Sequence, residues 1–250
     1  MSYYLITFSP TGGTAKTAEI LASNIADSWI HMNLLQSVPE ITLSADDVCL
    51  VAVPSFGGRI PTLSADRLKR FTANGARAIL VCVYGNRAYE DTLSELQDVL
   101  ETGGFACIAA VAAIAEHSII REFGKGRPDA ADCVELTAFA ERIRERIVNP
   151  VTEPLVVPGS HGTYKPYQNT PFVPAETDIC VRCGLCASSC PAAAIGDMPD
   201  VIDPDRCIKC MRCVTVCPTG ARKLDANIHI ALQDRLAAVC CTRKENELFL

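Results

Sequence analysis

Two cysteine runs of identical spacing dominate the second half of this chain. Cys180-x2-Cys183-x2-Cys186-x3-Cys190-Pro191 is followed by Cys207-x2-Cys210-x2-Cys213-x3-Cys217-Pro218. Every cysteine and both prolines recur 27 positions on, as do Asp178/Asp205, Ala194/Ala221 and the basic pair Arg182/Lys209. The segment is therefore an internal duplication. It concentrates eight of the chain's 14 cysteines in 38 residues. The chain starts Met1-Ser2-Tyr3-Tyr4-Leu5-Ile6, without a basic stretch or a cleavage pattern, so a cytoplasmic location is expected. In that compartment clustered cysteines serve metal or redox chemistry rather than disulfides.

The spacing has a chemical reason. Three thiolates separated by two residues wrap one face of a cubane while the backbone turns around it. The fourth ligand comes from elsewhere, and the proline after it ends the turn. This is the bacterial 4Fe–4S pattern, in which the fourth cysteine serves the other cluster. Cluster I then takes Cys180, Cys183, Cys186 and Cys217, and cluster II takes Cys207, Cys210, Cys213 and Cys190. Residues 177–224 resemble clostridial-type two-cluster ferredoxins. Two other readings stand beside this one. A pair of zinc sites would favour two CxxC pairs joined by a longer loop, and clusters can also serve only to brace a small fold.

The first 150 residues carry a different pattern. Short apolar runs at Tyr3–Phe8, Asp47–Pro54, Ala78–Val83 and Phe105–Ala113 read as buried strands, with a weaker one at Trp29–Leu35. Helices are expected to about Asp27, through Ala65, Leu68 and Phe71 up to Gly75, through Leu93, Leu96 and Leu100, and from about Ala130 to Val148. Alternating strands and helices predict a parallel α/β sheet. Cys82 and Cys107 fall in apolar runs and read as core thiols. Three loops end strands with glycine and hydroxyl residues, at the sheet edge where doubly wound folds bind ligands. The first, Ser9-Pro10-Thr11-Gly12-Gly13-Thr14, leads into a helix N-terminus and reads as a phosphate site. It has neither Walker nor GxGxxG spacing.

That loop, with the two that follow, resembles flavodoxins over residues 1–148. The resemblance implies a flavodoxin-like doubly wound sheet of order 2-1-3-4-5 that binds FMN. Ser9, Thr11, Gly12, Gly13 and Thr14 would hold the phosphate. Ser55, Phe56, Gly57 and Gly58 match the second loop, where a peptide reorients on reduction. Tyr84, Gly85, Asn86, Arg87 and Tyr89 match the third, and Tyr89 or Phe56 would stack on the ring. Phe56 stands where many flavodoxins have Trp. Arg59 and Arg87 stand where many keep acidic surroundings; they would favour a reduced, anionic ring, or else serve as solvated charges or contacts to the other half. Glu116-His117-Ser118 ends a strand at the same edge, and His117 is either a flavin neighbour or a structural hydrogen-bonder. Arg127-Pro128-Asp129 reads as a turn entering the last helix.

The organisation expected is a flavodoxin-like domain (1–148), a proline-rich linker (149–176), a small α+β two-cluster ferredoxin domain (177–224) and a tail (225–250) packed on both. Six of the 15 prolines lie in the linker, which reads as extended and semi-rigid. In the tail, residues 228–239 look helical, and Cys240-Cys241 is a strained choice for a redox pair. The longest apolar run, Phe105–Ala115, is far short of the ~20 residues a spanning helix needs, so no membrane association is expected. Net charge is −6, which argues against a nucleic-acid partner. Arg206, Lys209, Arg212, Arg222 and Lys223 surround the second cysteine run, to offset cluster charge or to steer an acidic partner.

Together the halves resemble the flavodoxin–ferredoxin fusion proteins of anaerobic bacteria and archaea. That implies a redox protein with one FMN and two 4Fe–4S clusters, coupling one-electron to two-electron transfer and serving a redox protein partner. The alternative is a ferredoxin-fed flavin reductase for a small acceptor such as a quinone or nitro compound. An open pocket over the flavin would favour the alternative, and a flavin covered by the ferredoxin half the carrier. A homodimer with swapped domains is left open, as is electron direction.

Overall fold

The computed structural model describes residues 1–167, 172–196 and 201–250. Residues 168–171, in the proline-rich stretch, and 197–200, in the expected ferredoxin domain, lie outside the described residues. In chain order the elements are β1 (Tyr3–Thr7), α1 (Gly13–Ile25), β2 (Ile30–Asn33), β3 (Ile41–Thr42), β4 (Val48–Pro54), α2 (Thr62–Leu68), β5 (Phe71–Thr72), β6 (Arg77–Tyr84), α3 (Thr92–Thr102), β7 (Ala106–Ile114) and α4 (Ala130–Val148). Then come β8 (Ala175–Glu176), α5 (Leu185–Ser188), α6 (Arg212–Thr215), β9 (Arg222–Lys223), α7 (Ala226–Cys240) and β10 (Glu247–Phe249).

The main sheet runs β10-β7-β6-β4-β1-β2. Its pairs are parallel from β2 through β7, and only β10 is antiparallel. Setting aside the two-residue pair β3–β5, the parallel strands read 2-1-3-4-5 in chain order. Helices cover both faces, so strand interiors are apolar on both sides. Along β4, Val48, Leu50 and Ala52 join the layer built with α1 and α4, while Cys49, Val51 and Val53 join the layer with α3. Leu93, Leu96 and Leu100 of α3 are fully buried, each stabilising the layer by roughly 1.5–3 kcal/mol. Cys82 is a buried core thiol, as expected, and burial pushes it up. The Asp129 side chain caps α4 by accepting from the Ala131 and Asp132 N–H groups at 3.0 and 3.1 Å, and Asp132 Oδ2 accepts in return from Asp129 N at 2.9 Å.

One helix differs from the sequence reading. Phe71 does not continue α2; it pairs with Ile41 in a short parallel bridge, and Asn74-Gly75 turn with positive φ. The spacing of Ala65, Leu68 and Phe71 is helical, but α2 ends at Leu68, and burial of Phe71 beside Ile41 takes it out of the helix.

Beyond α4 the chain is a strap along α3. Leu155 and Val157 are buried in the core layer. Asp91 accepts from the N–H groups of Ser160 (3.0 Å) and Lys165 (2.6 Å), and Asp98 from Gly162 (3.0 Å) and the Tyr164 hydroxyl. Arg59 forks onto Glu95 at 2.7 and 2.6 Å and lies against the rings of Tyr164 and Tyr167, at 4.6 and 4.3 Å from their centroids.

The duplication reappears in the backbone. α5 and α6 are 27 residues apart. So are the left-handed residues that flank the second cysteine of each run: Arg182 and Lys209 (φ 52° and 55°), then Gly184 and Met211 (φ 73° and 59°). After the second repeat the chain returns to the first domain, as α7 and then as β10 on the edge of β7.

Candidate functional site

Each repeat turns its cysteines inward. Cys180, Cys183, Cys186 and Cys217 line one pocket, and Cys190, Cys207, Cys210 and Cys213 line another. Every pocket thus takes three cysteines from one run and the last from the other. Among the described residues no three cysteine, histidine or carboxylate groups close on a single ion. In the second run the backbone N–H groups of Lys209 and Arg212 donate to the Cys207 and Cys210 sulfurs, an arrangement suited to an anionic thiolate cluster. Burial pushes the Cys210 thiol up to about 12 and the Cys213 thiol up to about 11, so as free thiols both stay protonated. An iron centre supplies the positive charge that makes such buried thiolates stable. The residues present fit a cubane in each repeat. Arg222 Nη2 lies 3.7 Å from Cys186 Sγ.

The second centre is at the C-terminal edge of the parallel strands. The loop after β1 ends at Gly12, whose φ of 94° favours glycine, and α1 begins without a side-chain cap. Ser9 Oγ accepts from Ala15 N at 2.8 Å and holds the loop over the helix N-terminus. Gly13 sits close to Ala115, where a Cβ would be 3.2 Å from the alanine methyl. A small cavity here is lined by Pro10, Thr11, Gly13, Thr14, Phe56 and His117, among others, and also by Cys210. It shares Ser55, Phe56, His117 and Ser118 with a larger cavity of about 730 Å³. Ile119, Ile120, Leu232, Leu236 and Val239 give that cavity apolar walls, and Cys207, Ile208 and Lys209 line it on the ferredoxin side. The volume lies in the range of cofactor pockets, about 300–1,000 Å³. A helix N-terminus in which Ser9 takes the Ala15 N–H and the Gly12 cap supplies no side-chain acceptor, beside a roomy apolar cavity, fits a phosphate joined to an aromatic ring. Phe56-Gly57-Gly58-Arg59 is a tight turn with φ 64° and 90° at its glycines, Phe56 N donating to Arg59 O at 2.8 Å.

Not every residue named from sequence reaches these cavities. Ser55, Phe56, Gly57, Tyr84, Gly85 and Arg87 line one or both, as do Thr11, Gly13 and Thr14. Gly58 packs under Glu90. Asn86 turns away, and its Nδ2 donates to the carbonyls of Cys240 (2.6 Å) and Thr242 (2.8 Å), fastening the tail. Tyr89 meets Tyr84 edge-on at 5.3 Å, which leaves Phe56, of the two aromatics named for stacking, as the one on the cavity. The arginines carry less free charge than the sequence suggests. Glu95 neutralises Arg59, and Arg87 binds Glu90 at 3.1 and 2.8 Å, holding that carboxyl below its usual range with help from Lys165.

Sequence reasoning did not anticipate α7 as a cavity wall, nor Ile119-Ile120. The apolar spacing of Leu232, Leu236 and Val239 along α7 is the one sequence signal of that wall. Arg212 Nη1 donates to Pro10 O at 3.1 Å, tying the second cysteine run to the phosphate loop, and Arg67 Nη2 donates to Pro191 O at 2.9 Å.

The 4Fe-4S binding domain family matches residues 173–196 and 200–223, one match per repeat. No curated protein matches the chain. Among solved structures, a flavodoxin of Streptococcus pneumonia TIGR4 is 18% identical over 58% of this chain and 99% of its own, with a TM-score of 0.42. A flavodoxin from the domain Archaea is 12% identical over 59% and 99%, at 0.41. The apo form of an NADH:FMN oxidoreductase (EMOB) is 16% identical over 61% and 91%, also at 0.41. The strand order and the paired family matches are the findings that decide the architecture: an α/β domain with the flavodoxin strand order is joined to a ferredoxin-type segment of two 4Fe-4S binding repeats.

Proposed function

We propose that this protein is an electron carrier in which FMN, held at the sheet edge, exchanges electrons with two 4Fe–4S clusters, cluster II lying between the flavin and cluster I. The observation that carries the reading is that Cys207 and Cys210 line the same cavities as the phosphate loop, Phe56 and His117. When bound, FMN supplies a centre that takes one or two electrons, whereas each cluster moves one at a time. Ser9, Thr11, Gly12, Gly13 and Thr14 hold the phosphate; Ser55, Phe56, Gly57, Tyr84, Gly85 and Arg87 surround the ring. Domains at 1–148 and 177–224, the strap of 149–176 and the tail of 225–250 organise these parts. Strap and tail hold the two halves together, so transfer needs no diffusional encounter.

The ferredoxin segment and α7 line one side of the cavity, which supports direct exchange between cluster II and the flavin. Cluster I faces outward. Cys183 is exposed, and Ile179, Val181 and Leu185 beside it are 50%, 64% and 42% exposed. An apolar rim around an exposed ligand suits a weak encounter with a one-electron redox protein.

The test is to reduce the reconstituted protein anaerobically and mix it with either an oxidised ferredoxin-class protein or a soluble quinone or nitro compound. The protein acceptor is expected to be reduced at least roughly tenfold faster at equal concentration, about 1.4 kcal/mol in barrier. Faster turnover with the small acceptors would establish the reductase reading instead.

A further inference from the structure

His117 is the residue at the centre of the cavities that the flavin reading leaves without a task. It follows β7, lines both the phosphate-loop cavity and the larger one, and its ring lies directly against Gly85 of the third loop. No side chain larger than glycine fits at position 85 while the imidazole keeps this place. The ring's orientation is fixed by two backbone donors. Ile119 N donates to Nδ1 at 3.2 Å and Ile120 N at 3.0 Å. A nitrogen that accepts carries no proton, so the proton of the neutral ring sits on Nε2. Among the described residues, Nε2 has no hydrogen-bond partner and is not cut off from solvent, and His117 lines both cavities. Burial, with Arg87 adding, holds the imidazole down at about 4, which keeps it neutral near pH 7.

We propose that His117 is a cofactor-contacting residue that donates its Nε2–H to the ring edge of the bound flavin and favours the ring's reduced, more negative state. This rests on the FMN reading above. The phosphate has its own donors at the N-terminus of α1, whereas His117 shares its wall with Phe56 and Arg87. A fixed neutral donor strengthens as negative charge grows on its acceptor, and hydrogen bonds to flavin ring atoms tune the cofactor's electronics. No proton is transferred: the N–H of a neutral imidazole is far too weak an acid, and Nδ1, held as an acceptor by two backbone N–H groups, offers no relay.

The experiment uses the full chain with both clusters and FMN, comparing wild type with His117→Phe and His117→Gln. FMN content and the dissociation constants for oxidised and reduced FMN are measured with the flavin midpoint potential. In His117→Phe, reduced FMN is expected to bind about tenfold more weakly relative to oxidised FMN, equivalent to a potential about 30 mV lower for a two-electron couple. His117→Gln, which keeps an N–H donor, should stay within about twofold of wild type. Should His117→Phe not retain FMN, His117→Gln decides: near-wild-type behaviour supports the donor, and a full tenfold change overturns it. An unchanged ratio in His117→Phe overturns the proposal. So does equal weakening of both redox states, which would assign the donor to the phosphate. Absence of FMN from the wild type would instead remove the flavin reading itself.

Discussion

Replacing Cys210 by serine should lower the iron content from about eight to about four per chain, since one cubane is lost. FMN should remain. Serine is a poor substitute for a soft thiolate ligand, and Cys210 is the cluster II position that also borders the phosphate-loop cavity. Electron transfer between a one-electron protein donor and the flavin is expected to fall roughly 100-fold or more, a barrier rise of about 2.7 kcal/mol. Iron analysis and anaerobic stopped-flow absorbance check both parts. Retained FMN shows that the α/β domain is folded. Flavin reduction at the wild-type rate in this variant would remove cluster II from the path.

The second large effect concerns the anchor of the tail. Arg127 and Asp132 form a buried ion pair, with side chains 4% and 0% exposed, Arg127 Nε donating to Asp132 Oδ2 at 2.8 Å. Around it, Arg127 Nη1 donates to Lys244 O at 2.8 Å, Arg243 Nη2 to Asp132 at 3.1 Å and Asn246 Nδ2 to Asp132 at 3.1 Å. Asn246 Oδ1 also accepts from Ile114 N at 2.9 Å, beside β10. Arg127→Met leaves a buried carboxylate without its main partner and should cost about 3–5 kcal/mol, read from urea unfolding. Limited proteolysis should then cut the tail beyond residue 240 first. Burial alone would raise the Asp132 carboxyl, but hydrogen bonds from Arg127, Asp129 N–H and Asn246 outweigh it and hold it below its usual 3.8. Its contribution is therefore present above about pH 4 and is lost as pH falls through the lower folded value. The wild type should lose part of its advantage over Arg127→Met as the solution is acidified through that range.

Local chemistry explains what could be read before the structure. The doubled cysteine spacing is a direct record of ligand geometry, and three cysteines of one run with the fourth of the other do ring each pocket. Strands buried on both faces are continuous apolar runs, so β4, β6 and β7 stand out, and α4 spans Ala130–Val148 as its periodicity indicates. What escaped depends on partners distant in sequence. Asn86 matches a flavin-loop position, yet carbonyls more than 150 residues away claim its side chain. Arg59 looks like a free loop charge until Glu95 and two tyrosines of the strap enclose it. β10 is three residues long, and only the open edge of β7 makes it a strand. The cavity walls contributed by α7 have the same origin: a helix reveals its apolar face in sequence but not what that face meets.

The most direct test is anaerobic reconstitution of the full chain, with FMN, iron and sulfide counted and a redox titration followed by absorbance and electron paramagnetic resonance. The account predicts one FMN, about eight irons in two cubanes, and a flavin that exchanges electrons with the clusters within one molecule. A protein that binds no FMN, holds zinc in place of iron, or carries cofactors that do not exchange electrons would contradict it.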